Sequence, residues 1–275
     1  MCGHSNGIPP MPRVKRTAQE EEARREDPAF IESLDRGLRV IQCFGAERRP
    51  MTLSDIAKAA GLPRATARRV LITLAKSGFV TGDERLFSLT HRVLALASAY
   101  LASNQINTVM QPLMDQVSSK AKEVCSLAIL DGDEAVFIAR ASPARVFSAG
   151  IDIGHRLPAF CTSVGRVLLG GLSNADLDAR FETLTLVRHT PETVVDKQTV
   201  IASIIADRNK GYSLVDQEAE MGFRSISVPI YRYDGAVVAA ANVGAHVDRI
   251  TTGEMIDRFL PLLKDMSDKA RPLLV

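Results

Sequence analysis

The sequence predicts an α+β protein in which a small winged helix-turn-helix domain precedes a larger domain of hairpins and helices. Three observations favour this class. Two short helical segments meet at Gly61-Leu62-Pro63 and are followed by a hairpin pattern. Asp131-Gly132 and Asp234-Gly235 each separate two apolar runs, which is a strong hairpin signal. Charge is divided unevenly, because a basic segment precedes a mildly acidic one.

The composition is that of an ordinary globular protein. The 275 residues are 46% hydrophobic and 24% charged, which excludes collagen-like, disordered and disulfide-scaffold classes. Charged residues interrupt every apolar run before the roughly 18 residues that cross a bilayer, and the first residues lack the apolar core of a secretory signal. Cys2, Cys43, Cys125 and Cys161 show neither CxxC nor metal-ligand spacing. We therefore expect a cytoplasmic protein without membrane span, metal or cofactor.

The first two helices are predicted from apolar spacing and from capping residues. Leu34, Leu38 and Ile41 repeat at i, i+4 and i+7, which predicts one buried stripe of a helix. Thr52, with Asp55 three positions later, predicts the start of a second helix. A Gly then ends that helix, and Pro opens the next one.

The third helix, predicted over 64–77, has the features of a DNA-recognition helix. Its apolar positions face inward, and residues 30–92 carry eleven Lys/Arg against six Asp/Glu, a net charge of +5. A helix-turn-helix inserts its second helix into the major groove, where N-terminal side chains reach base edges. The predicted DNA-binding residues are Arg64, Thr66 and Arg68 for bases, Arg69, Lys76 and Arg85 for phosphates, and Thr73 on the same outer face. The alternative for each arginine alone is a solvated surface position.

We divide the chain into four predicted segments. They are a disordered tail over 1–27, a winged helix-turn-helix domain over 28–91, a linker helix over 92–107 and an effector-binding domain over 108–275. In the last segment, hairpins are predicted at Val124–Leu130 with Ala135–Ala139 and at Ser225–Tyr231 with Ala236–Ala245. Helices are predicted near Ser163–Leu172, Ala175–Phe181 and Gln198–Lys210. A capping box at Thr251-x-x-Glu254 opens a final helix, with an inner face of Ile256, Phe259, Leu260, Leu263 and Met266.

Several phrases of the sequence resemble the IclR family of transcriptional regulators. They include Ser33-Leu34-Asp35-Arg36-Gly37-Leu38, the stretch Leu157–Leu169, and Gly222-Phe223-Arg224-Ser225-Ile226-Ser227-Val228-Pro229-Ile230, and the resemblance spans roughly residues 30–272. Arg64-Ala65-Thr66-Ala67-Arg68-Arg69 and Val215-Asp216-Gln217-Glu218 resemble the branch that regulates the β-ketoadipate pathway for protocatechuate and 4-hydroxybenzoate. The resemblance implies a GAF-like effector domain, dimers or tetramers on palindromic operators, and a small organic acid as effector.

The resemblance also implies an effector site. Matching positions are Ala149, Ser163, Val164, Val215, Ser225, Asn242 and Gly244, and Phe160 is either a wall of the cavity or a core aromatic. Thr162 or Ser163 is predicted to cap a helix whose free N–H groups suit an anion. The family founder carries acidic and hydroxyl side chains at Val215 and Asn242. An apolar Val215 suits an aromatic ring, and Asn242 can bond a ring hydroxyl.

Other functions remain as alternatives at this point. One is a regulator of the same family that responds to glyoxylate or pyruvate. Another is a redox sensor based on Cys125 and Cys161, although buried inert thiols are commoner. A hydrolase using Cys161 or Ser163 is disfavoured because no GxSxG, HExxH or ordered Ser/Cys–His–Asp set is present. The sequence therefore predicts a ligand-controlled DNA-binding regulator with no catalytic residues.

Overall fold

The structure is a computed structural model that describes residues 28–44, 50–83, 85–103, 105–143 and 152–275. The predicted tail over 1–27 lies outside the described residues. The chain divides into two compact units, Met1–Ser103 and Asn104–Val275, and the division falls inside the predicted linker segment. Our four segment boundaries stay a prediction.

The first unit is a winged helix-turn-helix. Its helices are α1 (Glu32–Cys43), α2 (Leu53–Ala60), α3 (Arg64–Lys76) and α4 (Val93–Ser103), and its strands are β1 (Met51–Thr52), β2 (Val80–Gly82) and β3 (Leu86–Leu89). The strands form an antiparallel sheet in the order β1-β3-β2. The two-residue strand β1 was not predicted, since it is too short to show a period.

The boundaries of α2 follow from its end residues. Thr52 Oγ1 accepts from the Asp55 N–H at 3.2 Å, and Asp55 Oδ2 accepts from the Thr52 N–H at 3.2 Å. This is the predicted capping box, which satisfies two N–H groups that the helix leaves unpaired. Gly61 ends α2 with φ of 63°, a conformation that glycine adopts without steric cost. Pro63 then precedes α3.

The prediction that Leu34, Leu38 and Ile41 form the buried stripe of α1 is wrong, because a different face of the helix is buried. Leu34 and Leu38 are 59% and 48% exposed, whereas Val40 and Cys43 are buried. Val40 and Cys43 pack with Ile56 and other residues of α2, α3 and the wing in the core of this unit. The spacing correctly indicates an apolar helix face, but periodicity does not say what covers that face.

The second unit is a six-stranded antiparallel sheet with helices on both faces. Its strands are β4 (Val124–Asp131), β5 (Glu134–Ala141), β6 (Arg156–Pro158), β7 (Ser213–Asp216), β8 (Phe223–Tyr231) and β9 (Val237–His246), in the order β6-β5-β4-β9-β8-β7. Its helices are α5 (Gln105–Ala121), α6 (Ser163–Gly170), α7 (Asn174–Thr183), α8 (Lys197–Lys210), α9 (Thr252–Glu254) and α10 (Leu260–Ala270). Both predicted Asp-Gly hairpins are confirmed.

Side chains alternate between the two faces of this sheet, as strand geometry requires. One face carries Cys125, Leu127 and Val243, which form the largest core with α5 and α10. The other face carries Ala128 and Ala240, which pack against α6. Four of the predicted effector residues, Val215, Ser225, Asn242 and Gly244, lie on this second face, so α6 is the element that covers them.

The C-terminal helix starts at the predicted capping box but turns differently from the expectation. Between α9 and α10, Met255–Phe259 forms a π-helical turn, which holds more residues than an α-turn and shifts the buried face. Met255 is therefore fully buried while Ile256, predicted to lie inside, is 38% exposed. In the described part of the chain, no helix has the length and apolar character that a membrane crossing requires.

Candidate DNA interface and effector site

Helix α3 presents a basic outer face. Ala67 and Leu71 are buried against the rest of the unit, while most of the predicted DNA-binding side chains are exposed. The exposed members are Arg64, Arg68, Arg69, Thr73, Lys76 and, in the wing, Arg85; Thr66 is half-buried. Guanidinium groups on an exposed helix can donate hydrogen bonds to the acceptor atoms of guanine in the major groove and to the phosphates beside them.

Two contacts restrict members of this set. Arg64 Nη1 donates to Ser54 Oγ at 2.6 Å, which ties the first residue of α3 to α2. Thr73 Oγ1 donates to the Arg69 carbonyl of its own helix at 3.1 Å. Ser54 was not predicted, and it lies in position to orient Arg64 at the helix N-terminus.

The candidate effector site lies where α6 begins over the sheet. Cross-strand pairing places Val215 beside Ser225 and Ser225 beside Gly244 in one row. The next row places Ser227 beside Asn242. Since paired residues point to the same face of a sheet, five side-chain positions on three strands meet under α6.

Ser163, the first residue of α6, joins the helix to this floor. Its hydroxyl makes hydrogen bonds with the hydroxyls of Ser225 and Ser227, each at 2.7 Å. Thr162 is the N-cap, because its side chain accepts from the Gly165 N–H at 3.2 Å. These hydrogen bonds hold the start of α6 over β8, and they bring three serine hydroxyls together beneath it.

Val164 and Asn242 give this site its chemical character. Val164 packs into the apolar cluster under α6. Asn242 is buried, and its Oδ1 meets no hydrogen-bond donor among the described residues. A buried acceptor without a donor costs free energy until a donor arrives. The site therefore combines apolar walls with one unsatisfied amide.

Two predicted effector residues are not part of this group. Ala149 lies outside the described residues. Phe160 packs in a separate cluster with Leu177, Phe181 and other residues of α7 and α8, and its ring lies 6.3 Å from that of His189. Phe160 thus packs as a core aromatic, and its assignment as a wall of the cavity stays a prediction.

One turn beyond Ser163, Arg166 of α6 belongs to a buried ion pair. Arg166 Nη2 donates to Glu218 Oε2 at 2.8 Å, and the two side chains are 7% and 10% exposed. Arg166 Nε also donates to the Phe160 carbonyl at 2.9 Å, and the Val194 N–H donates to Glu218 Oε2 at 3.2 Å. Burial raises the pKa of the Glu218 carboxyl, although the nearby guanidinium acts in the opposite direction.

The cysteines of this unit have the properties of inert core thiols. Cys125 and Cys161 are buried, and burial raises the pKa of each thiol to about 12. A redox-sensing cysteine needs an accessible thiolate, which is the opposite environment. Among the described residues, no cluster of His, Cys, Asp or Glu is arranged to hold a metal ion.

Two small cavities lie away from the effector residues. One of about 30 Å³ lies beside Arg208 and Tyr231, and one of about 10 Å³ lies between α5 and α10. Cavities of this size have room for one or two water molecules at most and are too small for an aromatic acid.

Together, a winged helix-turn-helix with a basic recognition helix and a sheet domain with a polar site under a helix define a ligand-controlled DNA-binding protein. Comparison of the sequence with models of known protein families leads to the same class. Residues 98–271 match the family model for the bacterial transcriptional regulator IclR C-terminal domain, and residues 33–84 match the model for the IclR helix-turn-helix domain. The chain belongs to the IclR family. It is a transcriptional regulator and not an enzyme.

Curated relatives of this family lie close in sequence. The Pca regulon regulatory protein of Pseudomonas putida is 42% identical, with 92% of this chain and 87% of that protein covered. The p-hydroxybenzoate hydroxylase transcriptional activator of Acinetobacter baylyi is 35% identical, with 92% of this chain and 94% of that protein covered.

Solved structures show the same fold. A transcriptional regulator of Rhodococcus sp. RHA1 is 41% identical with a TM-score of 0.78, over 89% of this chain and 98% of that one. An IclR homolog of Microbacterium hydrocarbonoxydans, crystallised in complex with 4-hydroxybenzoate, is 26% identical with a TM-score of 0.74, over 88% of this chain and 99% of that one.

Proposed function

We propose that this regulator controls genes of aromatic-acid catabolism and binds an acid of the protocatechuate and 4-hydroxybenzoate pathway. The observation that carries the proposal is the convergence of Ser163, Ser225, Asn242 and Gly244 on one patch of the sheet. The two curated relatives, whose names refer to the Pca regulon and to p-hydroxybenzoate hydroxylase, support the same substrate class.

The chemistry of the patch suits an aromatic acid better than a small keto acid. Val215 is buried and apolar, so one wall gains from contact with a ring. Hydroxyls at Ser163 and Ser225 and the N–H groups at the start of α6 can donate to a carboxylate. Glyoxylate or pyruvate would leave the apolar wall uncovered.

The same proposal assigns roles on the DNA side. Arg64, Thr66 and Arg68 contact base edges, while phosphates are bound by Arg69, Lys76 and Arg85, with Thr73 beside them. The chain acts as a dimer or tetramer on a palindromic operator, in the cytoplasm where the DNA lies. A two-fold protein places two recognition helices in successive major grooves about 34 Å apart, which is why the operator would be palindromic.

A ligand panel tests the effector. The purified chain is heated with protocatechuate, 4-hydroxybenzoate, β-ketoadipate, glyoxylate and pyruvate in separate samples. A ligand present at about 100 times its Kd adds about 2.7 kcal/mol of stability. We expect a shift with the acids of the aromatic pathway. A shift with glyoxylate or pyruvate alone would contradict the proposed class of effector and leave the assignment of the DNA-binding residues intact.

A second experiment tests the DNA assignment. Arg64→Ala combined with Arg68→Ala should remove sequence preference, because each good bidentate pair gives about 1–3 kcal/mol of discrimination. Lys76→Ala should weaken all DNA alike and lower the salt slope by about 1. The control is Arg232→Ala combined with Arg258→Ala, which removes the same charge from the second unit. Equal operator preference in the first pair and the control would refute the groove assignment.

A further inference from the structure

The first arginine of the recognition helix is held by a neighbouring helix, which distinguishes it from the other two arginines of α3. Arg64 Nη1 donates to Ser54 Oγ of α2 at 2.6 Å. The side chains of Arg68 and Arg69 are exposed and make no hydrogen bond or ion pair with the described part of the chain. Arg64 therefore has fewer accessible conformations than either of them before any DNA is bound.

Ser54 is attached to a rigid part of the unit. It is the second residue of α2 and lies inside the capping box, in which Thr52 and Asp55 exchange hydrogen bonds on either side of it. Thr52 also pairs with Leu86 of the wing, through the short strand β1. Because the cap and the sheet fix the backbone around Ser54, its hydroxyl is a well-defined acceptor for Arg64.

The backbone of Arg64 places the side chain at the end of α3 that reads DNA. Arg64 is the first residue of α3 and follows Pro63, whose ring fixes its own φ. Side chains on a helix tilt toward its N-terminus, so Arg64 leans back toward α2. In a helix-turn-helix, this end of the second helix is the one that reaches base edges.

The contact with Ser54 leaves one edge of the guanidinium available. Nη1 is used, whereas Nε and Nη2 of Arg64 have no hydrogen-bond partner among the described residues. The N–H groups on the Nε–Nη2 edge form a planar fork of donors. Guanine presents two acceptors, N7 and O6, along its major-groove edge, whereas adenine presents one acceptor and one donor there. The free edge therefore matches guanine and opposes adenine.

We propose that Arg64 reads a guanine through its Nε–Nη2 edge and that Ser54 is the positioning residue that holds this edge toward the groove. The inference rests on the proposed function and adds to it the identity of a base and a residue that acts through Arg64. Ordering a long side chain before binding is worth about twofold to tenfold in affinity. Ser54 thus contributes to discrimination among sequences and not to general affinity for DNA.

Selection of bound duplexes from a randomised library, followed by sequencing, tests the inference on the full-length chain. The parent should prefer guanine at a position of each half-site where Arg64→Ala shows no preference. Ser54→Ala should weaken the preference at that same position by about twofold to tenfold and leave the other positions unchanged. Ser54→Thr keeps the hydroxyl and should retain the preference of the parent.

Base analogues then test the two acceptors in a duplex taken from the selection. A 7-deazaguanine at this position lacks N7, whereas hypoxanthine keeps N7 and O6 and lacks only the amine in the minor groove. The deaza base should weaken binding of the parent by about threefold to tenfold and that of Ser54→Ala by less, because the two changes act on one interaction. Hypoxanthine should bind the parent like guanine.

A matched serine and two further measurements separate positioning from a structural role. Ser77→Ala removes an exposed hydroxyl at the opposite end of α3, where it makes no hydrogen bond with the described residues, and should match the parent at every position. Ser54→Ala should also keep the parent's Tm and its salt slope on a duplex of unrelated sequence. If Ser54→Ala instead binds all duplexes more weakly to the same degree, the positioning role is refuted.

The outcomes distinguish this inference from the function on which it rests. If Arg64→Ala loses a guanine preference and Ser54→Ala matches Ser77→Ala there, the role of Ser54 is refuted and the proposed function stands. A lost position that is not guanine, or a deaza base that binds like guanine, refutes the assignment of the guanidinium edge. If the parent selects no sequence, the inference and the proposed function are both overturned.

Discussion

The buried pair of Arg166 and Glu218 makes a quantitative prediction about stability. In Arg166→Met the carboxylate of Glu218 keeps its burial but loses its cation. Breaking a buried pair by removing one partner costs about 3–5 kcal/mol. Part of this loss, about 1–3 kcal/mol, comes from the Phe160 carbonyl, which loses the Nε donor that it now accepts from at 2.9 Å.

Adding Glu218→Gln to Arg166→Met should recover much of the stability. The double variant no longer buries a charge, and the amide oxygen still accepts from the Val194 N–H. What remains is the unsatisfied Phe160 carbonyl, so the residual loss should be about 1–3 kcal/mol. For a domain of this size, each kcal/mol shifts Tm by about 2–4 °C, so the single variant should lose about 6–20 °C.

The pH dependence supplies an independent check with a definite sign. The folded-state pKa of Glu218 already lies above its ordinary value of 4.5 because of burial, and loss of Arg166 raises it further. As pH falls from neutral toward 4.5, folded Arg166→Met takes up a proton that the unfolded chain does not bind. Its stability therefore rises on acidification, relative to the parent.

The assay is urea unfolding followed by circular dichroism, at pH 7.5 and pH 5.5. Lys269→Met is the control, since Lys269 and Asp265 form a surface pair at 2.6 Å with both side chains more than half exposed. Such a pair contributes at most about 1 kcal/mol. If Arg166→Met loses no more stability than this control, or if its deficit grows at pH 5.5, the reasoning about burial is refuted.

Three further predictions concern packing, capping and reactivity. Gly165→Ala should destabilise the effector unit by about 1–3 kcal/mol, seen as a lower Tm, because the new Cβ would overlap the Ala159 backbone; an unchanged Tm would contradict it. Thr52→Ala should cost about 1 kcal/mol through the lost cap, while the exposed Thr81→Ala in the wing should cost nothing measurable. With a pKa of about 12 in place of 9.0, Cys125 and Cys161 hold about a thousandfold less thiolate at pH 8. Iodoacetamide should therefore label these two thiols only in urea, and their rapid labelling in the folded chain, located by peptide mass spectrometry, would restore the redox hypothesis.

The elements that were predicted from the sequence are those whose signals are local. A capping box needs only two residues three positions apart, and both boxes, at Thr52 and at Thr251, are confirmed. The two Asp-Gly hairpins belong to the same class, because turn chemistry acts over a few residues. Strands β1, β6 and β7 have two to four residues, which is too short for any period to appear.

The sequence shows which face of a helix is apolar, but it does not show whether the rest of the unit covers that face. Leu34 and Leu38 form an apolar face, yet nothing local distinguishes a face that its own unit covers from one that it leaves exposed. The predicted burial of Ile256 is wrong for a different reason, because a π-turn shifts the buried face of the helix by one residue. Its neighbour Met255 took the buried position.

The residues around the candidate effector site also fall into two groups, those that a local pattern places and those that only strand pairing places. Ser227 follows Ser225 by two positions, so strand alternation alone places both on one face; this signal was in the sequence and was missed. Ser126 and Arg140 come from strands far away in sequence from β8 and β9. They share a row with Asn242 only through the register β5-β4-β9, and a slip of one residue would turn both to the opposite face.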